Sequence, residues 1–140
     1  MRGKRSLPRA YGKPAVTCRG DYELVRDHTS LLAWQEARAV VGFVIQASRS
    51  HWQPWAGSVF GQLQRASLSV QLNIAEGYAR RGNAGRYLLE VAYGSAVETT
   101  DLLRLCLEEK LLPEEPTGKV LSQSLRTQAL VLGLIRHVGA

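Results

Sequence analysis

Residues 65–98 read RASLSVQLNIAEGYARRGNAGRYLLEVAYGSAVE. This is the end of one amphipathic helix, a tight basic turn and the first half of a second helix. Before the turn, Ala66, Val70 and Ile74 recur every four residues, the spacing of one helical face. After it, Tyr87, Leu88, Val91, Ala92 and Ser95 form the expected inward face, which continues to Leu102 and Leu105. Gly77 and Gly82 bracket the turn. Gly82 suits the position just past a helix end, and Asn83 suits the N-cap of the helix that follows. So short a connection lays the two helices side by side and reverses the chain.

Working outward, the second helix is expected over residues 56–79. Phe60, Leu63, Ala66, Val70 and Ile74 make its main apolar stripe, with Leu68, Leu72 and Ala75 beside it. One stripe is enough for a lone bundle, so the surplus predicts a second buried face and an oligomer. A first helix is expected over 30–50, with Ser30 as N-cap and Leu32, Ala37, Val40, Val41, Val44 and Ile45 inside. Trp34 sits off that stripe, closing the end of the core or facing a partner subunit. The segment SRSHWQPW, residues 48–55, stops this helix at or before Pro54. The third helix is expected over 84–110. A short connection through Pro113, Pro116 and Gly118 leads to a fourth over 118–138, carrying Val120, Leu121, Leu125, Leu132 and Ile135. The expected fold is all-α: an antiparallel up-down-up-down four-helix bundle over 28–140, preceded by a flexible basic arm over 1–27.

Polar residues interrupt the faces that should be buried. Arg65, Ser69, Asn73 and Glu76 are spaced by four, four and three, so they share a side of the second helix. Ser95 and Glu98 lie on the inner side of the third. In a hairpin reversing at 81–83, residue n faces roughly residue 164 − n. That sets Ser69 opposite Ser95 and Arg65 opposite Glu98, predicting a close Ser–Ser contact and an interhelical ion pair. Arg65, Ser69, Asn73, Ser95 and Glu98 are therefore read as a structural polar core that sets helix register.

None of this reads as an active site. By the same rule Glu76 faces residue 88, about ten residues and ~15 Å from Glu98, too far to share a proton or a metal. His28, His51 and His137 make no Glu-x-x-His pair of the di-iron kind. Cys18 and Cys106 fit no metal or redox spacing, and a core role for Cys106 outweighs a nucleophilic one. The expectation is a non-enzyme with no metal and no cofactor.

At 140 residues and 45% hydrophobic content, the chain is long and apolar enough for one core. Its net charge of +6 is uneven. Residues 1–30 hold seven Lys/Arg against three Asp/Glu, a balance of +4, and residues 31–140 hold eleven against nine, a balance of +2. Such a balance suits contact with phosphate, and equally a merely solvated surface. The N-terminus MRGKRSLPRAYGKPAV lacks the apolar run of a secretory signal, and no stretch is apolar enough to span a membrane. The expected location is the cytoplasm.

Three segments together resemble a known family: DHTSLLAWQEAR at 27–38, QLQRASLSVQLNIAEGYARRG at 62–82 and YLLEVAYGSAVETTDLL at 87–103. They are similar to the four-helix-bundle proteins encoded in intervening sequences of bacterial large-subunit ribosomal RNA. The same superfamily includes the accessory variability determinant of diversity-generating retroelements. The resemblance covers about residues 28–107. It implies a short bundle assembling into a ring-like homopentamer, without enzymatic activity. The retroelement branch implies nucleic-acid binding beside a reverse transcriptase. The basic N-terminal arm departs from the compact family pattern.

The exposed basic candidates are Arg80, Arg81 and Arg86 at the turn. Guanidinium forks suit phosphate, and the start of the third helix offers free N–H groups. Repeated around a ring, the cluster would bind RNA or DNA by avidity, without reading sequence. The alternative is that these arginines solubilise a loop or pair with glutamates of a neighbouring subunit. Two functions follow: an oligomeric nucleic-acid-binding accessory protein partnering a reverse transcriptase, or an intervening-sequence-type protein scaffold without nucleic-acid affinity.

Overall fold

The computed structural model describes residues 27–138; the rest of the expected basic arm lies outside the described residues. Four helices account for almost all of it: α1 over Leu32–His51, α2 over Gly57–Arg80, α3 over Gly82–Glu108 and α4 over Glu114–Val138. No strand occurs among the described residues. Packing runs in a closed cycle, α1 on α2, α2 on α3, α3 on α4 and α4 on α1, which is the packing of a bundle. Two 3-10 turns, His28–Ser30 and Pro54–Ala56, close the ends of α1.

The starts of α1 and α4 differ from the sequence expectation. Ser30 does not cap α1. Asp27 caps the preceding 3-10 turn instead: its carboxylate accepts from the Thr29 hydroxyl and from the Thr29 N–H at 3.0 Å, which holds its pKa below the ordinary value. Ser30 Oγ instead donates to the Asp27 carbonyl, and α1 begins after Leu31 with no side-chain cap. At the other end, α4 starts at Glu114 rather than 118, so Pro116 lies within its first turn. Proline is tolerated there because its missing N–H would have no partner anyway, and Glu114 and Glu115 complement the helix dipole.

The core has three layers along the bundle. Val44, Phe60, Leu63, Leu103 and Cys106 anchor an apolar cluster at one end, together with Val40, Leu112 and Val120. Val70, Ile74, Leu89, Ala92, Val131 and Ile135 anchor a second at the other end. Between them lies a waist of buried hydroxyls: Ser67, Thr99, Thr100, Ser124 and Thr127. Thr99, Thr100 and Thr127 each donate to the carbonyl four residues back, at 2.8–2.9 Å, so their polarity is satisfied inside their own helices. Thr100 also meets Ser124 Oγ at 2.9 Å and accepts from Gln128 Nε2 at 2.6 Å, tying α3 to α4.

The main stripe of α2 is buried as expected: Phe60, Leu63, Ala66, Val70 and Ile74. The inward face of α3 is rotated from the expected one. Its buried residues are Gly85, Leu89, Ala92, Ala96, Thr99, Thr100, Leu103 and Cys106, while Tyr87 is 65% exposed and Leu105 also faces solvent. Apolar residues ring much of α3, and packing against both α2 and α4 selects which of them turn inward. On α1 Leu32 and Ile45, and on α4 Leu125, likewise face outward. Trp34 is half-buried against the second cluster, its ring edge-on to His28 with centroids 5.4 Å apart. Burial raises the Cys106 thiol pKa, keeping it protonated and unreactive.

The α2–α3 connection needs one non-helical residue, Arg81. It works because Gly77 and Gly85 let the two backbones touch. A Cβ on Gly85 would run into the Gly77 carbonyl oxygen, and one on Gly77 would sit 2.9 Å from the Gly85 carbonyl oxygen. A helical glycine usually costs about 1 kcal/mol relative to alanine. Here the sign reverses. Gly85→Ala is expected to destabilise by about 1–3 kcal/mol through overpacking, whereas Gly133→Ala, with open space around it, should stabilise by about 0.5–1 kcal/mol. Urea unfolding followed by helical circular dichroism checks both.

Candidate functional site

Three of the register residues meet on the α2–α3 seam. Ser69 Oγ lies 2.8 Å from Ser95 Oγ, and Asn73 Nδ2 donates to the Ser69 carbonyl at 2.8 Å and to Ser69 Oγ at 3.1 Å. All three are half-buried. The expected Arg65–Glu98 ion pair is replaced by a relay. Arg65 Nη2 donates to Gln62 Oε1 at 2.9 Å, and Gln62 Nε2 donates to Glu98 Oε1. Arg65 and Glu98 are both exposed, so they do not form part of a buried polar core. The reason is desolvation: burying two charges costs more than their attraction returns unless every other bond is also satisfied, whereas a neutral amide bridges them at the surface. Gln62 went unnoticed in the sequence because it lies one turn from the expected pair.

The basic turn is divided rather than clustered. Arg80 Nε binds Glu76 Oε1 at 2.8 Å, one turn back on α2. Arg86 Nε binds Glu90 Oε1 at 3.4 Å, one turn ahead on α3. Both pairs are well exposed and contribute little to stability. Arg81 makes no ion pair among the described residues. It stands at φ 58° and ψ 175°, a region that is nearly glycine-only and costs about 1–3 kcal/mol. Asn83, expected as the N-cap of the third helix, lies inside α3 instead, because the helix already starts at Gly82.

Arg80 and Arg81 face different hollows. Arg80 lines a shallow groove between α2 and α3 with its partner Glu76 and with Tyr87. Arg81 lines a cavity of about 300 Å³ at the end of the bundle, shared with Tyr78 and Leu89 and with Leu134 and His137 of α4. Leu31 closes the same cavity from the start of α1. The third ion pair, Arg126 Nη1 to Glu36 Oε1 at 3.0 Å, joins two helices and ties α4 to α1. Among the described residues, no cluster of three metal-ligating side chains occurs and no helix is long and apolar enough to cross a membrane.

The strain at position 81 yields a directional expectation. Arg81→Gly removes the steric cost, part of which is offset by the greater freedom of glycine in the unfolded chain. A net gain of about 1 kcal/mol is expected, read as a higher urea midpoint at unchanged slope and fixed protein concentration.

Comparison with known proteins gives one family and one fold. No curated protein matches the chain. A crystal structure of a protein of unknown function from the S23 ribosomal protein family of Bacteroides thetaiotaomicron VPI-5482, at 1.70 Å, superposes with a TM-score of 0.67. It is 17% identical and covers 75% of this chain and 96% of its own, so it speaks for the fold alone. Residues 29–133 match the 23S rRNA-intervening sequence proteins, three-quarters of the sequence, taking in α1, α2 and α3 and all of α4 but its last five residues. The chain belongs to the 23S rRNA-intervening sequence protein family.

Proposed function

We propose that this protein is a non-catalytic, oligomeric nucleic-acid-binding accessory protein built on an up-down-up-down antiparallel bundle. The pairs Gln62–Glu98, Ser69–Ser95 and Gly77–Gly85 rise along α2 while falling along α3, and Thr100–Ser124 and Ala96–Gln128 do the same between α3 and α4. That ordering supports the antiparallel topology.

The observation that carries the nucleic-acid reading is where positive charge gathers. Residues 1–26 hold seven Lys/Arg against two Asp/Glu, a balance of +5, and they join the bundle at residue 27. Leu31, four residues on, shares a cavity with Arg81 and His137. Residue 27, to which that segment is covalently joined, therefore lies toward the end of the bundle that holds the α2–α3 turn and the last turn of α4, which itself carries Arg136 and His137. The far end, where α3 passes to α4, carries Glu108, Glu109, Glu114 and Glu115 against Lys110 and Lys119. A charge gradient of this kind orients the molecule toward a phosphate backbone without sequence readout.

Self-association rests on the outer face of α2. Leu68 and Leu72 are 45% and 55% exposed, and with Ala75 and Ala79 they repeat at four, three and four on the side away from the core. A homopentameric ring, as in the resemblance stated above, covers that stripe and multiplies the basic end. Within the superfamily, the accessory role beside a reverse transcriptase fits a binder that does not read sequence. The scaffold reading without nucleic acid draws on one fact: Arg80 and Arg86 are already engaged by Glu76 and Glu90.

Two measurements test this. Native mass spectrometry is expected to give a pentamer, and Leu68→Glu with Leu72→Glu is expected to give monomers of unchanged helicity; a wild-type monomer rejects the assembly. Binding of a single-stranded RNA is expected to fall about twentyfold per three phosphate contacts between 50 and 200 mM salt, and to weaken further when Arg80, Arg81 and Arg86 are all alanine. Salt-insensitive binding, or none, favours the scaffold.

A further inference from the structure

The cavity at the basic end has a chemistry of its own. Its floor is aliphatic, from Leu31, Leu89 and Leu134, and its polar lining is Tyr78, Arg81 and His137. Among the described residues, no carboxylate lines it. The neighbouring groove differs on this point: there Glu76 accompanies Arg80 and would repel an anion. A volume of about 300 Å³ lies at the small end of the range for small-molecule sites, the scale of one nucleotide.

Arg81 adds a second, independent observation. Glycine would make the same one-residue turn without the steric cost, and Gly82 beside it already takes positive φ without penalty. The arginine therefore holds its guanidinium at this end of the bundle at the expense of stability. Strain of this sort, kept where surrounding packing enforces it, marks positions whose side chain is used. The Gly77–Gly85 contact is what enforces it here.

We infer that this cavity binds one nucleoside monophosphate unit. The base lies against the leucine floor and the Tyr78 ring, and the phosphate meets Arg81 and His137. Base stacking on an aromatic side chain is tolerant of base identity, and a guanidinium fork matches phosphate oxygens. The unit is either a free mononucleotide or one nucleotide splayed out of a single strand. For the second source, the inference rests on the nucleic-acid reading above and gives it a specific contact.

The test uses the full-length protein with AMP and UMP, inorganic phosphate and a single-stranded 12-mer RNA, measured by calorimetry and fluorescence anisotropy. Arg81→Gly is the informative variant, because it is expected to fold at least as well as the parent. It should weaken mononucleotide binding at least tenfold, and Tyr78→Leu should weaken it while sparing phosphate. Arg104→Ala, on the α3 surface away from the cavity, should change nothing. If AMP displaces the RNA and Arg81→Gly weakens both, the ligand is a nucleotide within a strand. Mononucleotide binding that depends on Arg81, without RNA binding, supports the site and rejects the nucleic-acid reading. RNA binding indifferent to AMP and to Arg81→Gly overturns the site and leaves that reading standing. Phosphate binding as tightly as AMP overturns the base contact, and no binding of any probe overturns both.

Discussion

Two backbones touch at Gly77 and Gly85, and the basic end of the molecule depends on that contact. It brings α2 and α3 close enough for a single residue to connect them. That residue, Arg81, is then left with no relaxed conformation and is held where its side chain lines a cavity. Tight helix pairing, backbone strain and the position of a guanidinium are thus one constraint seen at three scales. The hairpin that contains the contact lies within the span that matches the family.

The core achieves specificity with neutral groups. Instead of a buried ion pair, the bundle places hydroxyls between two apolar clusters; the threonines bond carbonyls of their own helices, and Ser124 pairs with Thr100 across α3 and α4. Such groups avoid the desolvation cost of charge while still offering directional bonds to a neighbour. The charged residues that approach the α2–α3 seam, Arg65 and Glu98, stay in solvent and communicate through Gln62.

Much of the architecture was legible in the sequence because the helical period is strong. The four helices, the Phe60–Ile74 stripe and the apolar surplus on α2 all follow from spacing. The phase of α3 was not legible, because Tyr87, Leu88 and Leu105 are as apolar as Leu89 and Leu103, and a one-residue rotation leaves the pattern almost intact. The threonines of the waist were hidden for another reason: polarity argues for the surface unless a carbonyl four residues back is counted as a partner. Pro116 concealed the start of α4 because it reads as a breaker, though in a first turn it breaks nothing. Of the candidate site, the three arginines were visible, but their separation into two paired side chains and one lining a cavity was not. That depends on Glu76, Glu90 and α4, and only the last is distant in sequence.

Apolar clusters alone do not fix how far one helix slides along another. The Thr100–Ser124–Gln128 contacts do, because a slip of one turn, ~5.4 Å, would break them all at once. The waist is in this sense a ruler. It meters how far α4 extends past the α2–α3 turn, and so how far His137 stands from Arg81. The dimension of the cavity at one end of the bundle is set by hydrogen bonds at its middle.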